Sequence, residues 1–185
     1  MREIRKALKG LGLLILSLNH FSDIPEVQED GKTFTENALK KARFYSTYFD
    51  QLTLADDSGL EVEILKGMPG VHSARYSGEK ASAQENNQKL LREMEGIPTS
   101  KRGARFRCVM ALVSTDGRQT ITEGVCRGRI GFKEVGKRGF GYDPLFILPH
   151  YGKTMAQLSV EEKNRISHRG KALRRMRRVL AQFTQ

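Results

Sequence analysis

The distribution of apolar and polar residues along the chain predicts five helices. Three of them begin with a hydroxyl residue and a carboxylate three positions later, a pattern that satisfies the unpaired backbone N–H groups of a first helical turn. These starts are Thr33-Phe-Thr-Glu36, Ser82-Ala-Gln-Glu85 and Ser159-Val-Glu-Glu162. The last helix carries an apolar stripe that includes Leu173 and Met176. The predicted helices span residues 2–9, 34–49, 83–95, 160–165 and 169–183.

Shorter apolar runs, separated by turn-forming residues, predict the strands. Gly59 predicts a sharp turn at the end of the strand at residues 52–56, and Asp116-Gly117 between two long runs predicts a hairpin. The predicted strands span residues 13–18, 52–56, 59–65, 104–114, 119–130 and 144–148. Helices and strands alternate before the hairpin, which indicates an α/β fold with a mixed β-sheet flanked by helices.

The size and composition of the chain limit the classes of protein to which it can belong. Its 185 residues fit a single domain over residues 1–185, and 38% hydrophobic with 29% charged residues argues against disorder. The longest apolar run, at residues 11–18, is too short to span a membrane and lacks the cleavage site of a signal peptide. Cys108 and Cys126 are too few for a disulfide framework or a four-ligand zinc site. They predict buried, reduced thiols in a cytoplasmic protein.

The formal net charge of +11 is concentrated at the two ends of the chain. Residues 1–10 have four basic groups and one acid, and residues 161–185 have eight basic groups and two acids. The remaining residues contribute only +2 of the total. A protein that coats nucleic acid would spread its charge more widely, although a basic nucleic-acid-binding module that uses the C-terminal arginines stays an alternative.

Acidic residues supply the first candidate chemistry. Asp56 and Asp57 follow an apolar run, and two carboxylates at a strand end can bind a divalent cation and deprotonate a water. Asp, Ser and Gly are equally favoured in a simple turn, so both interpretations stay open. The acidic loop at residues 26–30 can add Glu29 to a metal site, although such loops are common on protein surfaces.

Two later segments have the residue types that bind a nucleotide. In Gly139-Phe-Gly-Tyr-Asp-Pro144, glycines on both sides of Phe140 allow its ring to face outward and stack on a base, and the alternative is a turn with aromatics in the core. Lys163, His168 and Arg169 are donors suited to phosphate or purine carbonyl oxygens, or else part of a solvated basic face. The chain lacks the G-x-x-x-x-G-K-[ST] motif of P-loop proteins, and its histidines are scattered.

Five motifs, taken in order, resemble the inosine triphosphate pyrophosphatase family. They are Thr33-Phe-Thr-Glu-Asn-Ala, Ala55-Asp-Asp-Ser-Gly59, Pro69-Gly-Val-His-Ser-Ala-Arg-Tyr-Ser-Gly78, Gly139-Phe-Gly-Tyr-Asp-Pro144 and Ile166-Ser-His-Arg169. The resemblance covers the chain from residue 2 to about residue 180. It implies Mg²⁺-dependent hydrolysis of ITP, dITP and XTP to a nucleoside monophosphate and pyrophosphate. It also implies a homodimer with an elongated central sheet and two lobes around an active-site cleft, with a free purine nucleotide as partner and neither a nucleic acid polymer nor a membrane.

The resemblance also implies roles for individual residues. Asp57 would be the general base and a metal ligand, with Glu29 as the other metal ligand. The substrate would be bound by a larger set, of which four residues line the base pocket and three bind the purine or close the pocket. The substrate-binding residues are Ser58, then Phe140, Gly141, Tyr142 and Asp143, then Lys163, His168 and Arg169.

The sequence departs from the family pattern at two places. Met1 stands just after the lysine of the family's [ST]-G-N-x-x-K phosphate loop, and the acidic metal position falls on Gln28, beside Glu29. We therefore expect the N-terminal strand and the phosphate loop to be missing from a truncated domain. That loss predicts lower stability and weak or absent catalysis, so a catalytically impaired family member that binds nucleotide is a further alternative. Translation of the gene upstream of Met1 tests this expectation.

Overall fold

The computed structural model describes residues 2–182, with side chains from residue 4 onward. The helices and strands follow the predicted order closely. The α-helices are α1 (Arg2–Ala7), α2 (Phe34–Phe49), α3 (Ala83–Glu93), α4 (Val160–Ile166) and α5 (His168–Leu180). The strands are β1 (Thr53–Val62), β2 (Gly103–Val113), β3 (Gln119–Ile130), β4 (Phe146–Leu148) and β5 (Lys153–Thr154). The predicted capping patterns are confirmed, because the hydroxyl groups of Thr33, Ser82 and Ser159 each accept a hydrogen bond from the backbone N–H three residues later.

The five strands form one sheet in the order β1-β2-β3-β4-β5, with every pairing antiparallel. The α/β class is confirmed, but the parallel pairing of the predicted mixed sheet does not occur among residues 2–182. The predicted turn at Gly59 is also wrong, since β1 runs straight through it. A Cβ atom at this position would lie 2.4 Å from both the Gly70 carbonyl oxygen and the Ser73 hydroxyl. Glycine is therefore required by the close approach of the 3₁₀ turn Gly70–Arg75, which lies over the strand.

The predicted strand at residues 13–18 is not part of the sheet. No ladder hydrogen bonds join this segment to any strand in the described part of the chain. Leu13 and Ile15 pack against the cluster around α5, whereas Leu14 is 87% exposed. The apolar run therefore has the alternation of a strand without a neighbour to pair with, which is why an analysis of pattern alone misassigns it.

The long strands β1, β2 and β3 pass through two separate hydrophobic parts of the molecule. At one end of these strands, α2 covers Val109 and Ala111 on one face, while α5 covers Cys108 and Met110 on the other. At the opposite end, a larger cluster joins the strands to α3 and β4. The sheet is thus elongated and shared by two lobes, as predicted, and Asp56, Asp57 and Ser58 lie near the junction.

The basic C-terminal helix is not a free cationic surface. Arg174 donates to the backbone carbonyls of Asn164 and Arg165 at 2.9 Å, and these residues lie near the end of α4. Arg177 donates to the carbonyls of Ala7 and Lys9, at the end of α1, at 2.6 and 2.8 Å. Both arginines therefore satisfy helix C-termini, a favourable position for a cation. Among the described residues, no helix combines the length and apolarity needed to cross a membrane.

Candidate active site

Asp56 and Asp57 lie within strand β1 and point to opposite faces of the sheet. Their partners show this, because Asp57 faces Asn37 of α2 and Asp56 faces Arg169 of α5. The prediction that two adjacent carboxylates at a strand end bind one cation is therefore wrong. Consecutive side chains of a strand alternate between faces, so neighbours in sequence cannot converge on one ion.

Asp57 is held rigidly on the α2 face. Its Oδ2 atom accepts a hydrogen bond from Asn37 Nδ2 at 3.0 Å, and its Oδ1 atom accepts one from the backbone N–H of Ser58 at 2.9 Å. Burial raises the pKa of Asp57, the hydrogen bond from Asn37 and the charge of Lys41 oppose that rise, and the negative charge of Glu29 adds to it. A carboxylate with a raised pKa is better able to take a proton near neutral pH than an ordinary one.

Glu29 approaches Asp57 from the acidic loop. Its carboxylate forms a 3.0 Å ion pair with Lys41, and Arg75 fixes the loop by donating to the Glu29 carbonyl oxygen at 2.7 Å. Gln28 beside it is exposed. Within residues 2–182, no group of three or more His, Cys, Asp or Glu side chains is placed to hold a metal. Asp57 and Glu29 provide two hard oxygen donors, which fits Mg²⁺ because this ion often uses one or two carboxylates together with water and substrate phosphates.

On the opposite face of β1, Asp56, Ser58 and Arg169 form a hydrogen-bonded group. The Arg169 guanidinium lies 2.9 Å from Asp56 Oδ2 and 3.3 Å from Ser58 Oγ, and Ser58 Oγ donates to Asp56 at 3.2 Å. Burial raises the pKa of Asp56, but the charge and hydrogen bond of Arg169 outweigh it and lower the pKa overall. Asp56 therefore stays ionised and holds the guanidinium in one orientation.

The loop between residues 139 and 143 presents Phe140 to solvent beside Arg169. The ring is 68% exposed, and its centre lies 5.7 Å from the guanidinium carbon. Asp143 fixes the loop by accepting from the Phe140 N–H at 3.1 Å and from Lys163 Nζ at 2.6 Å. Tyr142 lies in the core, where its hydroxyl donates to the Ser73 carbonyl oxygen at 2.9 Å. Its ring thus supports the loop from inside the core, contrary to the expectation that it lines a base pocket.

His168 begins α5 and packs tightly against β3. A Cβ atom on Gly124 would lie 2.0 Å from the His168 carbonyl oxygen, so only glycine permits this contact. The imidazole stacks on Phe106 with a centroid distance of 4.9 Å. Its buried Nδ1 atom has no hydrogen-bond partner in the described structure. Burial lowers the pKa of His168 to about 3, so the neutral ring is present at pH 7 and His168 adds no positive charge to the site.

The lowered pKa of His168 predicts a loss of stability in mild acid. The unfolded chain binds a proton near pH 6.5 that the folded chain excludes, so the free energy of unfolding falls as the pH drops below about 6.5. Arg169, Lys163 and Lys171 reinforce this exclusion, and Asp56 opposes it. Each pH unit can cost up to about 1.4 kcal/mol.

Urea unfolding between pH 7 and pH 5 checks this prediction. His168→Gln should show a shallower pH dependence than the parent, and His150→Gln, on an exposed turn, should match the parent. Equal slopes for the parent and His168→Gln would contradict it.

The structure brings the predicted site residues together in two groups. Phe140, Asp143, Lys163 and Arg169 lie on one side of β1, with Ser58 hydrogen-bonded to Arg169. On the other side, Asp57 and Glu29 meet Asn37 and Lys41, two residues that the motif analysis did not assign. They occupy one face of α2 because they are four positions apart. That spacing, counted from the helix start at Thr33, is the signal that could have found them.

Comparison with known proteins agrees with this arrangement. The family model described as the Ham1 family matches residues 1–179. The dITP/XTP pyrophosphatase of Desulforamulus reducens is 49% identical over 180 residues, which cover 97% of this chain and 90% of that protein. The dITP/XTP pyrophosphatase of Geobacter sulfurreducens is 53% identical over 173 residues, covering 94% and 87%.

A solved structure, that of a HAM1 protein from Coxiella burnetii, superposes with a TM-score of 0.91 at 41% identity and covers 98% of this chain and 92% of its own. The family match over nearly the whole chain, the identity to curated relatives and the shared fold lead to one conclusion: this chain belongs to the Ham1 family.

Proposed function

We propose that this protein hydrolyses deaminated purine nucleoside triphosphates, namely ITP, dITP and XTP, to the nucleoside monophosphate and pyrophosphate. The observations that carry the proposal are the exposed Phe140 ring beside Arg169 of α5 and, on strand β1, the buried Asp57 carboxylate with its raised pKa. The Phe140 ring supplies a surface on which a base can stack, and the Asp57 carboxylate supplies a group that can activate water. Relatives named dITP/XTP pyrophosphatase support the substrate class.

The base would stack on Phe140 and meet hydrogen-bond donors at its edge. Stacking on an aromatic ring is worth about 1–3 kcal/mol per base. Arg169 and Lys163 carry positive charge and are paired with the carboxylates of Asp56 and Asp143, so they can donate to a ligand without becoming unpaired cations. The neutral His168 ring adds a buried nitrogen without a protein partner. These groups suit the 6-keto oxygen of a deaminated purine, whereas the amino group of adenine would leave donors unsatisfied.

Asp57 would act as the general base on the other face of β1. It takes a proton from a water molecule, whose oxygen forms a bond to the α-phosphorus while the bond between that phosphorus and the α–β bridging oxygen breaks. Pyrophosphate leaves with that oxygen. Asp57 and Glu29 would hold Mg²⁺, which when bound neutralises phosphate charge. Lys41 lies beside Glu29 and can add a positive charge to the same region.

We further propose that the protein is a homodimer of the cytoplasm that acts on free nucleotides. Two buried cysteines without a disulfide, Cys108 and Cys126, suit a reducing compartment. The arginines of α5 that bond to helix ends argue against a polymer-binding role.

Substrate discrimination tests the proposal most directly. With Mg²⁺ in excess, kcat/KM for pyrophosphate release should be at least about a hundred-fold higher with dITP than with dATP. These two substrates share sugar and triphosphate and differ only in the purine. Equal turnover of both would overturn the assigned substrate class. Binding of nucleic acid with a steep salt dependence and no pyrophosphate release would instead support a basic binding module. Binding of ITP without turnover would identify a catalytically impaired member.

A further inference from the structure

The orientation of Phe140 depends on contacts that fix the backbone of its loop. The residues on both sides of it, Gly139 and Gly141, have φ values of 90° and 57°. Glycine reaches such angles without strain, but it also leaves the chain free to adopt others. The ring makes few contacts of its own, since it is mostly exposed. Whatever holds the backbone at Gly141 therefore also sets where the ring points.

Asn87 of helix α3 holds that backbone from outside the loop. Its Nδ2 atom donates a 3.2 Å hydrogen bond to the Gly141 carbonyl oxygen, across 54 residues of sequence. The side chain is rigidly placed, because Asn87 is only 3% exposed and lies one turn before Leu90, a member of the hydrophobic cluster of the α3 lobe. This contact links Gly141 to an element that carries none of the assigned site residues.

The second polar atom of the Asn87 side chain shows that packing alone does not explain an amide at this position. Its Oδ1 atom is buried and has no hydrogen-bond partner within residues 2–182. Leaving a buried acceptor unpaired is unfavourable, and an apolar residue of similar size would fill the same space without that penalty. Among the described residues, the bond to Gly141 is the one hydrogen bond that distinguishes asparagine from leucine at this position.

We propose that Asn87 is a positioning residue for the nucleotide base, which acts through the Gly141 carbonyl to hold Phe140 in its stacking orientation. This inference rests on the proposed function, since it assumes that the base stacks on Phe140. Asn87→Leu should raise the KM for ITP roughly three- to ten-fold, as expected for the loss of one net hydrogen bond. kcat should change less than about two-fold, because the groups around Asp57 are untouched.

A double-mutant cycle with Phe140→Ala tests the inference. In the Phe140→Ala background, Asn87→Leu should no longer raise the KM, because the ring through which Asn87 acts is gone. Gln88→Leu is the matched control, since it removes an exposed amide from the next position of α3. Thermal unfolding shows whether each variant protein is folded. If the leucine side chain does not fit at position 87, Asn87→Ala is used in place of Asn87→Leu.

The outcomes separate the two proposals. An additive effect of Asn87→Leu in both backgrounds, or an unchanged KM in the parent background, overturns the positioning role. If Phe140→Ala itself leaves the KM for ITP unchanged, the proposed base site is wrong and the positioning role fails with it.

Discussion

Asp57→Asn is expected to reduce pyrophosphate release from ITP by a factor of about 10²–10⁴, the usual contribution of a positioned general base. The asparagine amide has the shape of the carboxylate but cannot take a proton from water. It also weakens the pair of oxygen donors formed with Glu29, so the loss should be seen at every Mg²⁺ concentration.

The fold should survive this substitution. Burial already opposes the charge of Asp57, so a neutral side chain relieves that cost and offsets the disturbed bonds to Asn37 and Ser58. Circular dichroism and thermal unfolding should therefore stay close to those of the parent. Asp50→Asn, at the exposed end of α2, is the matched control and should retain full activity. Activity of Asp57→Asn within ten-fold of the parent would remove Asp57 as the base.

Arg102→Leu is expected to destabilise the protein by about 3–5 kcal/mol, the range found when several buried hydrogen bonds to a charged group are lost together. The guanidinium is 2% exposed and donates to the carbonyl oxygens of Met94, Ile97, Ile130 and Gly131 at 2.7–3.2 Å. It thus ties the end of α3 to the end of β3. Leucine would fill part of the space but would leave buried acceptors without donors.

Urea denaturation measures this loss as a lower transition midpoint. Arg178→Leu removes an exposed arginine from α5 and should change the stability by less than about 0.5 kcal/mol. If Arg102→Leu were no more destabilising than Arg178→Leu, the prediction would be contradicted. The carbonyl oxygens that accept hydrogen bonds from Arg102 would then find other donors in the variant.

Elements specified by local interactions were predictable from the sequence, and those that depend on distant partners were not. The capping residues Thr33, Ser82 and Ser159 locate three helices because their hydrogen bonds lie within one turn. Residues 13–18 have an equally clear local pattern, yet a strand also needs a neighbour to pair with. Gly59 has the residue type expected of a turn. In the structure, its missing side chain instead leaves room for the Gly70 carbonyl group, which packs against the strand at this position.

The residues of the candidate site also separate into those that the sequence could identify and those that depend on distant packing. Asp57, Phe140 and Arg169 belong to compact motifs and are recognisable by residue type and order. The contribution of Asn37 and Lys41 depends on the packing of α2 against β1, which residue order does not reveal. The sequence also could not show that Asp56 serves Arg169 and not a metal, because this follows from the face of β1 on which Asp56 lies.

The alternation of side chains along β1 makes the register of this strand a determinant of activity. A slip of one residue against β2 would turn Asp57 toward α5 and turn Asp56 and Ser58, the partners of Arg169, toward α2. Ten consecutive paired positions, from Thr53 opposite Val113 to Val62 opposite Ala104, oppose such a slip. Insertions or deletions within β1 should be far less tolerated than substitutions.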